Sequence, residues 1–406
     1  MPRTPAANAD ATPARHRAHP LFAENVPGLL DRPLNTSTPR VFIAATRMNE
    51  GKTTTCLGLY GALRTLGYKV GYIKPIAQRL IEVEGFPVDE DTQLINTIYR
   101  VNIPIAAMSP IAIDPTFTRR YLDNPQEHHP RVVDRICRAF DRSAYEKDVI
   151  IIEGSGHAGV GAVFDSSNAT NARLLQSKCI LVSGGGIGKP VDEIAINKAL
   201  FDKMGVECIG VILNKVLRDK IDYVREYAGK GLARIGIPLL GVLPLHERLA
   251  RPNLTQVVQE IGGLWLHRPN DPMTSERITK VIMGAMSANT ISEHLGTGVL
   301  VIMPGDREDL LFSMIASAGI LNAPVACGII LTNKLRPNDR ILGMLRQTNI
   351  PIVGTHEESF AVTTKINNMT VKTQPEDADK IPVIESLIRE NMDLPALLKI
   401  LNVKAG

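Results

Sequence analysis

Gly51-Lys52-Thr53 is the string with the most chemistry in this 406-residue sequence. It follows the apolar run Val41-Phe42-Ile43-Ala44-Ala45 and precedes Cys56, Leu59, Tyr60, Leu63 and Leu66, which recur at helical spacing up to Gly67. A glycine turn between a buried strand and a helix aims several backbone amides at one spot, and the helix N-terminus adds positive potential there. Such a turn cradles the β- and γ-phosphates of a nucleotide. Lys52 adds a point charge, and the Thr53 hydroxyl suits Mg²⁺. Asn49, Glu50, Gly51, Lys52, Thr53 and Thr54 are the candidate phosphate-loop residues, with Lys52 also a candidate catalytic group. Thr46 occupies the slot where the full pattern carries its first glycine. Arg47 points toward phosphate, reaches across a dimer interface, or lies in solvent.

Lys74, in Tyr72-Ile73-Lys74-Pro75-Ile76-Ala77-Gln78, ends a second apolar run. Ligands of open α/β sheets gather beyond the carboxyl ends of strands, so Lys74 is expected in the crevice that holds Lys52, unless it is a surface lysine. In Asp148-Val149-Ile150-Ile151-Ile152-Glu153, four apolar residues deliver a carboxylate to a strand end, the arrangement that presents an acid to magnesium. Asp91, within Asp89-Glu90-Asp91-Thr92, is a second carboxylate for the same ion or a helix cap. His157, in the glycine-rich stretch after Glu153, is a base, a donor or a plain loop histidine. Ser183-Gly184-Gly185-Gly186-Ile187-Gly188-Lys189-Pro190 imitates a phosphate loop, but Pro190 stands where a hydroxyl is needed. It is expected to be a strand-to-helix turn on the substrate side. Asn214, at a later strand end, suits an amide that reads a base edge.

The elements that must position these residues alternate. After Val41–Ala45 come apolar runs at 70–73, 149–152, 179–182, 209–213 and 239–243, with helical stretches between most of them, such as Val133, Ile136, Cys137 and Phe140. Runs without a polar face mean strands buried on both sides, hence a parallel sheet between helices. From about residue 247 the alternation repeats with runs at 299–302, 325–330 and 350–353. Leu310, Leu311, Met314, Ile315 and Ala318 form a helix between the first two. Pro269–Ser275 is expected as a turn, and one helical segment over Pro382–Leu401.

Composition sets the bounds. A net charge of +4 from 46 basic and 42 acidic residues is too weak and dispersed for a nucleic-acid or anionic-membrane surface. No run approaches the roughly 20 apolar residues of a membrane span. The five cysteines have no metal-ligand or redox spacing, and their apolar flanks suit buried thiols in a reducing compartment. A cytoplasmic protein is expected.

Taken in order, these motifs resemble the dethiobiotin synthetase-like branch of P-loop proteins. They look more closely like the N-terminal, non-acetylating part of long bacterial phosphotransacetylases. Lys74-Pro75-Ile76-Ala77-Gln78 after a phosphate-loop helix carries the likeness, and Thr46 agrees with it. Met303-Pro304-Gly305-Asp306-Arg307-Glu308-Asp309-Leu310 resembles the strand-to-helix turn of a DRTGG domain, although those five letters do not occur. The resemblance implies an α/β fold: a P-loop NTPase-type parallel sheet with helices on both faces, followed by a smaller α/β, DRTGG-like domain. The expected division is a flexible arm at 1–38, an ATPase domain at 39–246, a DRTGG-like domain at 247–365 and a C-terminal helical segment at 366–406. The resemblance also implies ATP and Mg²⁺ as cofactors, with Thr53, Asp91 and Glu153 on the metal, Lys74 at the acceptor and Asn214 at adenine. The expected activity is ATP hydrolysis or ATP-dependent activation of a small carboxylate, without acetyltransferase activity in this chain itself. The alternatives are a nucleotide-sensing module acting on a partner, or a partitioning-type ATPase dimer using Arg47 in trans. A small-molecule substrate or effector and a homo-oligomer, dimer or higher, are the expected partners.

Overall fold

The computed structural model describes residues 35–269, 276–321 and 325–404. The first 34 residues of the expected arm, and residues 270–275 of the expected turn, lie outside the described residues.

The first domain is built on six strands: β1 (Arg40–Ala45), β2 (Val70–Ile73), β3 (Val149–Glu153), β4 (Lys178–Gly184), β5 (Cys208–Val216) and β6 (Leu239–Pro244). They form one sheet in the order β6-β5-β4-β1-β3-β2, and every pairing is parallel. Alternate residues of β1 enter different cores. Val41, Ile43 and Ala45 face α1 (Lys52–Thr65), whereas Phe42 and Ala44 join Ile136 and Phe140 of a long helix over Pro125–Ala144. With both faces covered, a strand needs no polar side, which is why these runs are continuously apolar. The chain changes direction at β1, since β3 lies on one side of it and β4 on the other. That reversal opens the crevice beyond the strand ends where ligands of such sheets bind. Helix α1 stops at Thr65, one residue earlier than its spacing predicts, and Leu66 is exposed. Cys137 is only partly buried, in contrast to the other four cysteines.

The second domain carries a mixed five-stranded sheet of β7 (Leu264–His267), β8 (Lys280–Met283), β9 (Val299–Pro304), β10 (Gly328–Thr332) and β11 (Ile352–Gly354). Its order is β7-β11-β10-β9-β8, with only β7 antiparallel to its neighbour. The turn after β9 enters a helix over Glu308–Leu321. Arg307 holds that turn by donating to the carbonyls of Gly284 and Met286 at 2.8 and 3.2 Å.

The expected C-terminal helical segment is two helices, α2 (Ile381–Asn391) and α3 (Leu394–Ile400). Pro395 has no amide hydrogen to continue a preceding helix and suits the first turn of a new one, which Asp393 caps by accepting from the Ala396 amide at 2.9 Å. Between the helices Met392 bridges to Gly241 of β6. Both helices enter the first domain's core: Ile384, Ile388 and Leu397 are buried there with Leu59 and Leu63 of α1.

Among the described residues no helix is long and apolar enough to cross a membrane.

Candidate functional site

Gly51 sits at φ 100°, a left-handed conformation that L side chains rarely adopt, so the turn into α1 needs glycine there. A Cβ at this position would lie 2.0 Å from Asn214 Nδ2. Asn214 is what closes on the loop: Nδ2 donates to the Glu50 carbonyl at 2.9 Å and Oδ1 accepts from the Lys215 amide at 2.9 Å. Its amide is thus spent on holding the loop, a use the base-edge reading did not include. Lys215 Nζ adds a bond to the Asn49 carbonyl at 2.7 Å.

Asn49, Gly51, Lys52, Thr53 and Thr54 line a cleft of about 390 Å³, together with Lys74, Asp91, Glu153 and Asn214. Glu50 does not line it; its carboxylate lies against Gly184. The turn after β4 also stays out of the cleft. Gly185 abuts the backbone of Lys215 and Val216. Thr46 explains the missing leading glycine. It is buried, its amide donates to the Val182 carbonyl at 2.9 Å, and its hydroxyl shares a hydrogen bond with Ser183 at 2.9 Å, so the chain there still follows the sheet. Arg47 is exposed and pairs with Glu193 at 2.7 Å. His157 is exposed, and its ring nitrogen accepts from the Gly159 amide at 3.2 Å within its own loop.

The chemistry converges at the ends of β1, β2 and β3. Thr53 Oγ1 donates to Glu153 Oε1 at 2.8 Å, and the Tyr72 hydroxyl donates to Glu153 Oε2 at 2.8 Å. Lys74 is buried, not a surface lysine. Its ammonium donates to Asp89 Oδ1 at 2.7 Å and to Asp91, and stands 3.8 Å from Glu153 Oε1. The strand ends at Ile73, and Pro75 follows Lys74 in the bend beyond it.

Asp89 was missed as a site residue, although it lies in the same acidic string as Asp91. It is buried, accepts from the Gln78 amide at 2.9 Å and the Asp91 amide at 3.1 Å, and so caps the helix over Glu90–Tyr99 while holding Lys74. A buried carboxylate spent on a cap and an ion pair looks, in sequence, like any helix start. Tyr72 was also missed, because a tyrosine in an apolar strand reads as core. A third omission had no local signal at all: residues 369–373, far along the chain, form the opposite wall of the cleft.

Burial and charge set the ionisation here. Burial pulls the Lys52 ammonium below the ordinary lysine range, with Glu153 opposing and Lys74 adding to the shift. For Lys74 burial acts in the same downward sense, but Asp91, Glu153 and Asp89 together outweigh it and hold the ammonium charged. Burial pushes Glu153 up, against Lys74. Asp91 goes the other way: burial would raise it, yet Lys74 and Lys372 hold it down at about 2.

The oxygen donors Thr53, Asp91 and Glu153 fit Mg²⁺, which is held by one or two carboxylates plus substrate phosphates and not by an all-protein cage. Among the described residues no group of three or more His, Cys, Asp or Glu forms a metal site.

Comparison with known proteins then decides the family. Residues 39–253 match the AAA domain family and residues 256–369 match the DRTGG domain. The chain belongs to the AAA domain family. It is 27% identical over 367 residues to the phosphate acetyltransferase of Pseudomonas putida, covering 87% of this chain and 50% of that protein. The phosphate acetyltransferase of Pseudomonas aeruginosa is 26% identical over 372 residues, with 87% and 50% covered. The chain therefore spans about half the length of these relatives, consistent with the N-terminal region of long phosphotransacetylases. Among solved structures, it is similar to the septum site-determining protein MinD of Pyrococcus horikoshii complexed with Mg-ADP. The identity is 16%, 52% of this chain and 83% of that one are covered, and the TM-score is 0.33. It is also similar to the CBS and DRTGG domains of the regulatory region of Clostridium perfringens pyrophosphatase: 18% identity, 35% and 62% covered, TM-score 0.26.

Proposed function

We propose that this chain is a cytoplasmic MgATP-binding ATPase whose cleft hydrolyses ATP or transfers its γ-phosphoryl group to a small carboxylate. The observation that carries the reading is the convergence of Lys52, Thr53, Lys74, Asp91 and Glu153 at three adjacent strand ends, with Thr53 Oγ1 2.8 Å from Glu153 Oε1. In this reading the amides of Gly51–Thr54 and the Lys52 ammonium bind the β- and γ-phosphates and favour the charge that develops on the transferring group. Thr53, Asp91 and Glu153 would hold Mg²⁺, which when bound neutralises the β- and γ-oxygens. Tyr72 orients Glu153 through its hydroxyl. Asp89 positions Lys74, which orients an acidic acceptor. Asn214 keeps the loop closed, and the adenine would stack in the part of the cleft that Asn214 lines together with Pro244 and Leu245. The homo-oligomer, dimer or higher, belongs to the same proposal, and sedimentation over a range of concentrations tests it.

Calorimetric titration with MgATP and steady-state hydrolysis test the reading. Wild type should bind and turn over, and Lys52→Ala should lower turnover by about 10²-fold or more. Absence of MgATP binding by the wild type would end the proposal.

A second reading, a nucleotide-sensing module acting on a partner enzyme, is favoured by one observation. The cleft is walled by residues 369–373, directly after the second domain, so a bound nucleotide meets a segment joined to that domain. Tight MgATP binding without turnover would select it.

A further inference from the structure

We propose that Lys372 is a further nucleotide-binding lysine, reaching the terminal phosphate from the segment that follows the second domain; this rests on the MgATP reading above. Met369, Thr370, Val371, Lys372 and Thr373 line the cleft together with the phosphate loop, and Asn49 Nδ2 donates to Thr370 Oγ1 at 3.4 Å. The backbone of this strap is pinned from the second domain. Gln256 Nε2 donates to the Lys372 carbonyl at 2.9 Å, and the Gln374 amide donates to buried Asp377 at 3.1 Å. The side chain is held more loosely: Lys372 Nζ lies 2.5 Å from Glu90 Oε1, with the two side chains 32% and 37% exposed. Glu90 is shared, because Arg79 Nη1 donates to the same oxygen at 3.0 Å. A partly exposed ion pair of this kind is weak, so a multiply charged phosphate competes for the ammonium.

Charge at this end of the cleft gives the reason for recruitment. Lys74 is taken up by three carboxylates, Asp89 and Asp91 in contact and Glu153 at 3.8 Å, which leaves little of its charge for an anion. Lys372 also lowers the Asp91 carboxyl, after Lys74 in strength, so its charge is felt at that carboxylate. With Lys74 so engaged, a triphosphate relies on Lys52 and falls short of cations. Lys372 and Arg79, both parked on Glu90, supply the deficit.

Calorimetric titrations of the full chain with MgATP and MgADP, for wild type, Lys372→Ala, Lys372→Arg and Glu90→Gln, test this. Lys372→Ala should weaken MgATP roughly tenfold or more and MgADP much less, as expected for one lost charge-assisted contact. Lys372→Arg should recover most of the loss. Glu90→Gln releases both cations and should tighten MgATP. If Lys372→Ala and Glu90→Gln weaken MgATP alike, the pair only braces the strap and the proposal is wrong. Equal losses for MgATP and MgADP, or none, also overturn it. A wild type that binds neither nucleotide sinks the MgATP reading itself, which separates that failure from one confined to Lys372.

Discussion

Lys74 is surrounded by more negative charge than any single partner would require. Asp89 and Asp91 accept from its ammonium and Glu153 stands at 3.8 Å, all within a nearly dry pocket. Removing one member of such a group leaves the others buried and uncompensated. Lys74→Met should therefore destabilise the chain by about 3–5 kcal/mol. Because the defect is excess negative charge, millimolar Mg²⁺ alone should raise the variant's unfolding temperature more than the wild type's. Equal shifts in a thermal melt would show that the metal does not use these oxygens. The same cluster sets a pH dependence. Asp91 is held at about 2, below its ordinary value of 3.8, so its folded form binds fewer protons than the unfolded chain. Its stabilisation is fully present above pH 3.8 and is lost as pH falls toward 2. Denaturant midpoints measured from pH 5 to pH 2 should fall less steeply for Asp91→Asn than for wild type. Parallel slopes would contradict the assignment.

At the scale of elements, the contact between α1 and α2 ties the phosphate loop to the end of the chain. Gly58 and Gly61 give α1 a smooth face, on which a Cβ at Gly58 would lie 2.3 Å from Ile388 Cγ1 and 2.8 Å from the Ile384 carbonyl oxygen. Alanine within a helix gains about 1 kcal/mol over glycine from backbone entropy. Here the second clash is with backbone, which cannot rotate away, and overpacking costs about 1–3 kcal/mol. Gly58→Ala should be net destabilising and should lower the melting temperature; an increase would mean that α2 is not seated on α1 in solution. Tyr99 reinforces this contact: its hydroxyl lies 2.8 Å from Glu385 Oε1 and 2.9 Å from the Leu57 carbonyl oxygen, and donates its one proton between them.

For the whole molecule, the second domain lies between two parts of the chain that share one core. Asp377 is the knot. It is buried and accepts from Arg277 Nη2 at 2.7 Å, while Asn253 and Gln256, at the start of the second domain's first helix, each reach it at 3.3 Å. Lys380, fully buried, stands 3.3 Å from it. Arg277→Met should cost about 3 kcal/mol by leaving Asp377 underpaired. The loss should appear as separation of the second domain's calorimetric transition from that of the first. A single transition at the wild-type temperature would show that the knot does not couple them.

Strand existence was legible from sequence because both faces of the first sheet are covered, which forces unbroken apolar runs such as Val149–Ile152. The phosphate loop was legible for a related reason: Gly51, Lys52 and Thr53 act through their own backbone and immediate neighbours. Lys74 and Glu153 were placed by a rule about strand ends, and the structure brings them together within 3.8 Å. The order of the elements and the local chemistry at each strand end are therefore written in the residue pattern. The tertiary structure alone decided which distant groups meet there. The partnership of Asp89 with Lys74, the bond of Asn214 to the Glu50 carbonyl and the strap that presents Lys372 depend on chain segments up to 282 residues apart. No periodicity encodes such contacts. The strap is brought there because the helices that follow it bury their apolar faces against α1, directly behind the loop.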